Sequence, residues 1–248
     1  MPIHYARRLV GPKRSADANQ QLGFILCFVA GTVHALSIAV MLAYNQHATD
    51  PASTIGGAWT DIFGGLAVAC AGGLLCFVTG AVLATGLVGL ARHRRLQSEY
   101  ALPLLLEALL LLLIGIVDAQ GTAAGGFELY AVLMVLSLSM GIQNAAVTLM
   151  SNAEIRTTNI FPLLIAIGSE LGQRIAIDAD AVAGKSKPPL NNDRLALLNL
   201  LALYFFLGLA VGWLAFEQVG FSAILPFAIT LAVMTAAPVI DDLMSARR

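Results

Sequence analysis

The chain has 248 residues, of which apolar types make up 58% and charged types only 12%, with a mean hydropathy of +0.80. A soluble domain carries about one-quarter charged residues, so the composition excludes one and predicts an integral membrane protein whose first partner is the lipid bilayer. The formal charge of −1, with 14 Lys and Arg scattered through the polar stretches, excludes the basic stripe of a nucleic-acid-binding protein.

Residues 1–21 carry Arg7, Arg8, Lys13 and Arg14 and no apolar stretch, which predicts a short cytoplasmic arm suited to an anionic membrane surface. Leu22 to Tyr44 is long enough, at ~1.5 Å per residue, to cross a hydrocarbon core of ~30 Å, and too long for a signal-peptide core. It reads as a retained first span with His34 near its middle. The chain then turns polar through His47 and Thr49. Asp50-Pro51 is a helix start, an oxygen cap followed by a proline where no amide donor is needed. The helix expected there runs into Gly56-Gly57 and Gly64-Gly65, either as a separate short piece or as the beginning of a long tilted one. Leu66 to Ala91 is the second span, closed by Arg92, His93, Arg94 and Arg95.

Ala101 to Val117 is the third span, leucine-rich and apolar throughout apart from Glu107. Leu129 to Met150 is the fourth and holds Ser137, Ser139, Gln143 and Asn144. The polar run Arg156-Thr157-Thr158-Asn159 then leads into Ile160 to Gly168, an apolar segment too short to cross, whose continuation carries Glu170, Gln173 and Arg174. Residues 178–193, with Lys185, Lys187 and Pro188-Pro189, read as a solvated cytoplasmic linker. Leu195 to Phe216 and Phe221 to Ile240 supply the last two spans, and residues 242–248 a cytoplasmic tail.

Positive charge decides the count. If the Ile160 segment spanned, Lys and Arg would divide eight inside to six outside; if it is re-entrant or interfacial, all 14 are cytoplasmic. The positive-inside rule favours the second arrangement, six spans with both termini inside. The expected fold is therefore an all-α polytopic membrane protein built as two three-span repeats, 22–118 and 119–241, each with a short half-helix or interfacial helix. Local echoes support the division: AGTVHA at Ala30 parallels MGIQNA at Met140, and YALPLLL at Tyr100 parallels SAILPFA at Ser222. An odd number of spans per half inverts the second repeat relative to the first, an arrangement that recurs in transporters and channels.

The segments RSADANQQLGFILCFVAG at Arg14, RRLQSEYALPLLLEALLLL at Arg94, MGIQNAAVTLMSNAEIRTT at Met140, DRLALLNLL at Asp193 and VGFSAILP at Val219 resemble the YoaK-like family of bacterial inner-membrane proteins, a domain of unknown function. The resemblance covers nearly the whole chain. It implies a compact helical domain in the bacterial inner membrane and no established activity. Where that family follows its first span with a YTSHMTG-like stretch, this chain reads YNQHATD, keeping Tyr44, His47 and Thr49. Where it has RTTHxTGxxTDxG, this chain reads RTTNIFPLLIAIG, keeping Arg156, Thr157, Thr158 and Gly168, with Asn159, Phe161, Pro162, Ile165 and Ala166 where the resemblance implies histidine, threonine, glycine, threonine and aspartate. His34 stands where the family tends to have asparagine.

Each candidate residue has two readings. Arg156, Thr157, Thr158 and Asn159 either cap the following helix or, with its positive end, attract an anion. Gln143 and Asn144 line a cavity or bond across packed helices. Glu107 is costly as a mid-span charge and must be protonated, paired or facing water; His34 is its nearest partner by depth. Tyr44, His47 and Thr49 are boundary anchors or site lining. Gly80 to Ala84 and Gly208 to Gly212 have small-xxx-small spacing and read as packing, as do the three cysteines, Cys27, Cys70 and Cys76. No nucleophile with a matched base, metal-ligand spacing or phosphate loop occurs, so neither an enzyme nor a cofactor is expected. Two functions fit: a small-solute transporter or channel with its pathway between the repeats, and a non-transporting scaffold or accessory subunit that binds a second copy or a membrane-complex partner.

Overall fold

The computed structural model describes residues 16–48, 58–94, 96, 98–119, 126–150, 160–182 and 192–245, and among them every element is helical. In order these are α1 (Ala16–Ala48), α2 (Ala58–His93), α3 (Ala101–Ala119), α4 (Gly126–Met150), α5 (Ile160–Val182), α6 (Asn192–Val219), a 3-10 turn (Gly220–Ile224) and α7 (Leu225–Ser245). Four stretches are long and apolar enough to cross a bilayer: Gln20–Leu42, Ala67–His93, Leu129–Met150 and Asn192–Ile240, the last containing both α6 and α7. Ala101–Val117 is a shorter apolar helix. These are the helices of a membrane protein.

Of the two arrangements left open before the second span, the described residues take the long one: the stretch around Gly64-Gly65 does not interrupt α2, which is one helix of 36 residues. A glycine costs about 1 kcal/mol against alanine in an aqueous helix, but apolar spans accept glycine freely. Two other boundaries differ from the sequence reading. The Ile160 segment is the first part of a 23-residue helix, α5, that continues through Glu170 and Arg174 to Val182. Pro162 is tolerated because it lies in the first turn, where backbone amides have no intrahelical acceptor. Because α5 reaches Val182 and α6 begins at Asn192, helix also occupies both ends of the expected linker 178–193.

The bundle is built on two tight crossings. Helix α1 packs along α6, and α2 packs along α4; α3 lies against α7, and α1 touches α4 at the centre. At the first crossing a β-carbon on Gly31 would collide with the Phe205 carbonyl oxygen, and one on Gly208 with the Phe28 carbonyl. At the second, Gly141 meets the Phe77 carbonyl and Gly80 the Leu138 carbonyl in the same way. Small residues let membrane helices approach backbone to backbone, so the packing role expected of the Gly80 and Gly208 motifs holds.

Three apolar clusters fill the interior. One joins Val33, Leu111, Leu136 and Ile224; the second joins Leu26, Leu104, Ala146 and Leu231; the third joins Cys27, Leu163, Leu201 and Phe205, and seats α5 against α6. None of the three cysteines is in a disulfide. Between α6 and the 3-10 turn the chain reverses at Gly220, whose φ of 65° favours a residue without a β-carbon.

Candidate functional site

A partly enclosed cleft of about 430 Å³ opens where α1, α2 and α4 meet the first turn of α5. Helix α1 contributes His34, Ser37 and Met41, α2 contributes Cys70, Gly73 and Phe77, and α4 contributes Ser137, Met140 and Asn144. Ile160 and Phe161 of α5 and Phe205 of α6 complete the wall. The spacing is helical: His34 and Ser37 lie one turn apart, and Ser137, Met140 and Asn144 share one stripe of α4.

His34 is half-buried, its ring centroid 5.8 Å from that of Phe205. Ser37 donates to the Val33 carbonyl at 2.9 Å, and the Asn144 amide donates to the Met140 carbonyl at 2.8 Å. Opposite α4, Gly73 leaves room for the Ser137 hydroxyl, which would stand 3.2 Å from a β-carbon there. Among the described lining residues there is no Asp, Glu, Lys or Arg. The wall thus offers an imidazole, an amide, two hydroxyls and a thiol among three aromatic rings, chemistry that suits a small neutral or weakly polar solute.

The structure sorts the sequence candidates into three groups. His34 and Asn144 meet on this cleft. Gln143 and Glu107 are not on its wall: both are fully buried, Gln143 donating to the Leu26 carbonyl at 3.2 Å. Among the described residues neither oxygen of Glu107 has a hydrogen-bond partner, so the expected pairing with His34 is not made. Similar depth does not bring the two together, because Glu107 lies on the face of α3 packed into the bundle whereas His34 faces the cleft. Thr49, Arg156, Thr157, Thr158 and Asn159 lie outside the described residues; Tyr44 and His47 fall in the last turns of α1, with side chains outside those described.

Sequence reasoning missed Ser37, Cys70, Phe77, Ser137 and Phe205. Ser37 and Ser137 follow from His34 and Asn144 by helical periodicity alone, whereas the phenylalanines are visible only once the crossings are known.

Polar contacts elsewhere tie helix ends together. The Ser98 amide donates to Asp242 Oδ2 at 2.8 Å, joining the α2–α3 turn to α7. Arg92 pairs with Glu99 at 3.0 Å and donates to the Tyr100 hydroxyl at 2.6 Å. Arg194 lies 3.4 Å from Glu170, and Arg174 donates to Asn192 at 2.9 Å, so α5 is fastened to the start of α6.

A family described as Protein of unknown function (DUF1275) matches residues 19–237, in agreement with the resemblance read from the sequence. No curated protein and no solved structure matches the chain.

Proposed function

Since the chain belongs to the DUF1275 family, membership carries no activity, and we propose from the geometry that the protein is a small-solute transporter or channel whose binding site is the cleft between α1, α2 and α4. The observation that carries this reading is the symmetry of the wall. Under the echo of AGTVHA and MGIQNA, Gly31 matches Gly141 and His34 matches Asn144. Each glycine sits at a helix crossing, and both following polar residues face one cleft. Phe205 and Phe77, whose carbonyls face Gly31 and Gly141, line the same cleft.

The exchange of partners, α1 against α6 and α4 against α2, supports a reading as two inverted repeats with a solute site on the axis between them. The reading takes six spans, with α5 as the interfacial helix of the second repeat. It sets the protein in the bacterial inner membrane with both termini cytoplasmic, supported by the 14 Lys and Arg that this topology collects on one side. No chemical step is part of it; the solute passes unchanged.

The test is flux in proteoliposomes across a panel of neutral, cationic and anionic small solutes, comparing the wild type with His34→Ala and Asn144→Ala. Saturable flux of a neutral solute, reduced at least about tenfold in either variant, a loss of 1.4 kcal/mol, supports the cleft. Folded protein that moves none of the panel sinks the reading.

The second reading, a scaffold, draws on α5. Phe161, Leu164, Ile165 and Leu171 are exposed there, and Gly168 and Gly172 have open space beside them. A cross-linked second copy along α5, together with absent flux, would favour it.

A further inference from the structure

Two of the apolar clusters are divided by a polar seam. On α3, Glu107 falls between Leu104 of one cluster and Leu111 of the other; on α4, Ser139 and Gln143 fall between Leu136 and Ala146. Helices α1 and α7 cross the same boundary, at Leu26 to Val29 and at Ala228 to Leu231. Glu107, Ser139 and Gln143 are all fully buried. Both oxygens of Glu107, the Ser139 hydroxyl and Gln143 Oε1 are without partners, while the Gln143 nitrogen is engaged by the Leu26 carbonyl. Buried polar groups are ordinarily satisfied, and an unpartnered set of this kind asks for an explanation.

We propose that Glu107, Gln143 and Ser139 form a proton-binding site in this seam, loaded by one exchangeable proton and separated from the cleft by the body of α4. The donor inventory supports it. Gln143 Oε1 can only accept, a carboxylate can only accept, and Ser139 has a single hydrogen to give. With a proton on Glu107 the three groups complete one chain: the Glu107 O–H donates to Gln143 Oε1, and the Ser139 O–H donates to the other carboxyl oxygen. Without it, two acceptors face each other inside an apolar core. None of the four atoms makes a hydrogen bond as it stands; in the proposal, side-chain rotation within the seam closes the chain. In loading, a proton from water bonds to one Glu107 oxygen. In unloading that O–H bond breaks, its electron pair stays on the carboxylate, and the proton returns to water.

Glu107 stands alone among titratable groups there. Among the described side chains that face the seam, none from α1, α4, α7 or the 3-10 turn is titratable. Titratable groups on the packed elements include His34 of α1, which faces the cleft, Asp242 of α7, held at the Ser98 amide, and the Arg92–Glu99–Tyr100 group where α2 meets α3. On α4 the seam residues Ser139 and Gln143 occupy a different face from the cleft residues Ser137 and Asn144, so that one helix carries both sites. The proton site does not rest on the solute reading; only an exchange of proton for solute through α4 would.

Infrared difference spectroscopy of the purified full-length protein in lipid nanodiscs, without any solute, tests the site separately from transport. The expected result is a carboxyl C=O band that shifts in deuterium oxide, declines as pH is raised, and is absent in Glu107→Gln. Ser139→Ala and Gln143→Leu should each move its frequency and its pH midpoint, and they keep the test decisive if Glu107→Gln does not fold. A band that survives in folded Glu107→Gln, that neither exchanges nor titrates, or that ignores both neighbouring substitutions overturns the proposal.

Discussion

The two helix crossings share a backbone arrangement and differ in what surrounds it. At both, two glycines on facing helices bring each helix against a carbonyl of the other. At the α1–α6 crossing, however, Thr32 adds hydrogen bonds of 3.1 Å to both the Phe28 and Gly208 carbonyls, and Gly212 packs directly on Thr32. Phe24 stacks on Tyr204 nearby, with ring centroids 5.0 Å apart. At the α2–α4 crossing the position matching Thr32 in the echo is Ile142, which has no hydroxyl to clasp its partner. The neighbourhoods differ as well: 61% of the most apolar window of α1 is buried but only 22% of that of α2. One crossing is clasped and enclosed; the other adds to its close packing only a weak thiol–thioether contact, Cys76 donating to Met134 Sδ at 3.7 Å, along the helix that forms one wall of the cleft. Close approach is therefore what the two share, while rigidity is added on one side only.

Valine at the glycines should have the largest effect. Gly31→Val or Gly208→Val drives a branched side chain into a backbone carbonyl that cannot rotate away, and overpacking of this kind costs ~1–3 kcal/mol or more. Because α1 is held on several sides, these variants should lose most of their folded yield in detergent. Gly80→Val and Gly141→Val meet the same obstacle, but α2 can move outward toward lipid, so their loss of melting temperature should be smaller. Equal losses at both crossings would break the comparison.

Thr32→Val comes next. It removes a buried hydroxyl without opening a cavity, and the Phe28 carbonyl keeps its place in the helix, so the expected cost is about 1 kcal/mol. Thermal unfolding in a common detergent would register it as a modest downward shift. A stability unchanged by Thr32→Val would mean that the glycines alone hold both crossings.

The sequence reveals these features unevenly, for physical reasons. The long apolar helices are evident because the hydrocarbon core demands about twenty apolar residues from a span. His34 and Asn144 stand out because a polar group in such a run is costly wherever it points. Direction is what hydropathy lacks. Asn144 and Gln143 are neighbours in the chain and equally polar, yet about 100° of helical rotation sends one to the cleft and the other into the seam. Glu107 shows the same limit: its depth was legible, but its isolation depended on which face of α3 turns toward α4. The extent of α5 was hidden by its polar half, since an amphipathic helix in a membrane protein resembles neither a span nor a loop in a hydropathy reading.

The smallest effect is expected on the outer face of α2, at Gly86. A β-carbon there would meet nothing within 4 Å, in contrast to Gly80 on the same helix, which faces the Leu138 carbonyl. Gly86→Ala should therefore remove backbone freedom from the unfolded chain without creating a clash, a gain of up to ~1 kcal/mol on the aqueous scale and less in lipid, where glycine is better tolerated. A slight rise in melting temperature, with unchanged flux, would identify Gly86 as a lipid-facing position and confine the packing demand on α2 to its inner stripe. A marked fall would mean that this face is covered in the assembled protein, and α2 would then be exposed only in the isolated chain. That outcome would change the comparison itself, since the less enclosed of the two crossings would have a neighbour that holds α2 in place.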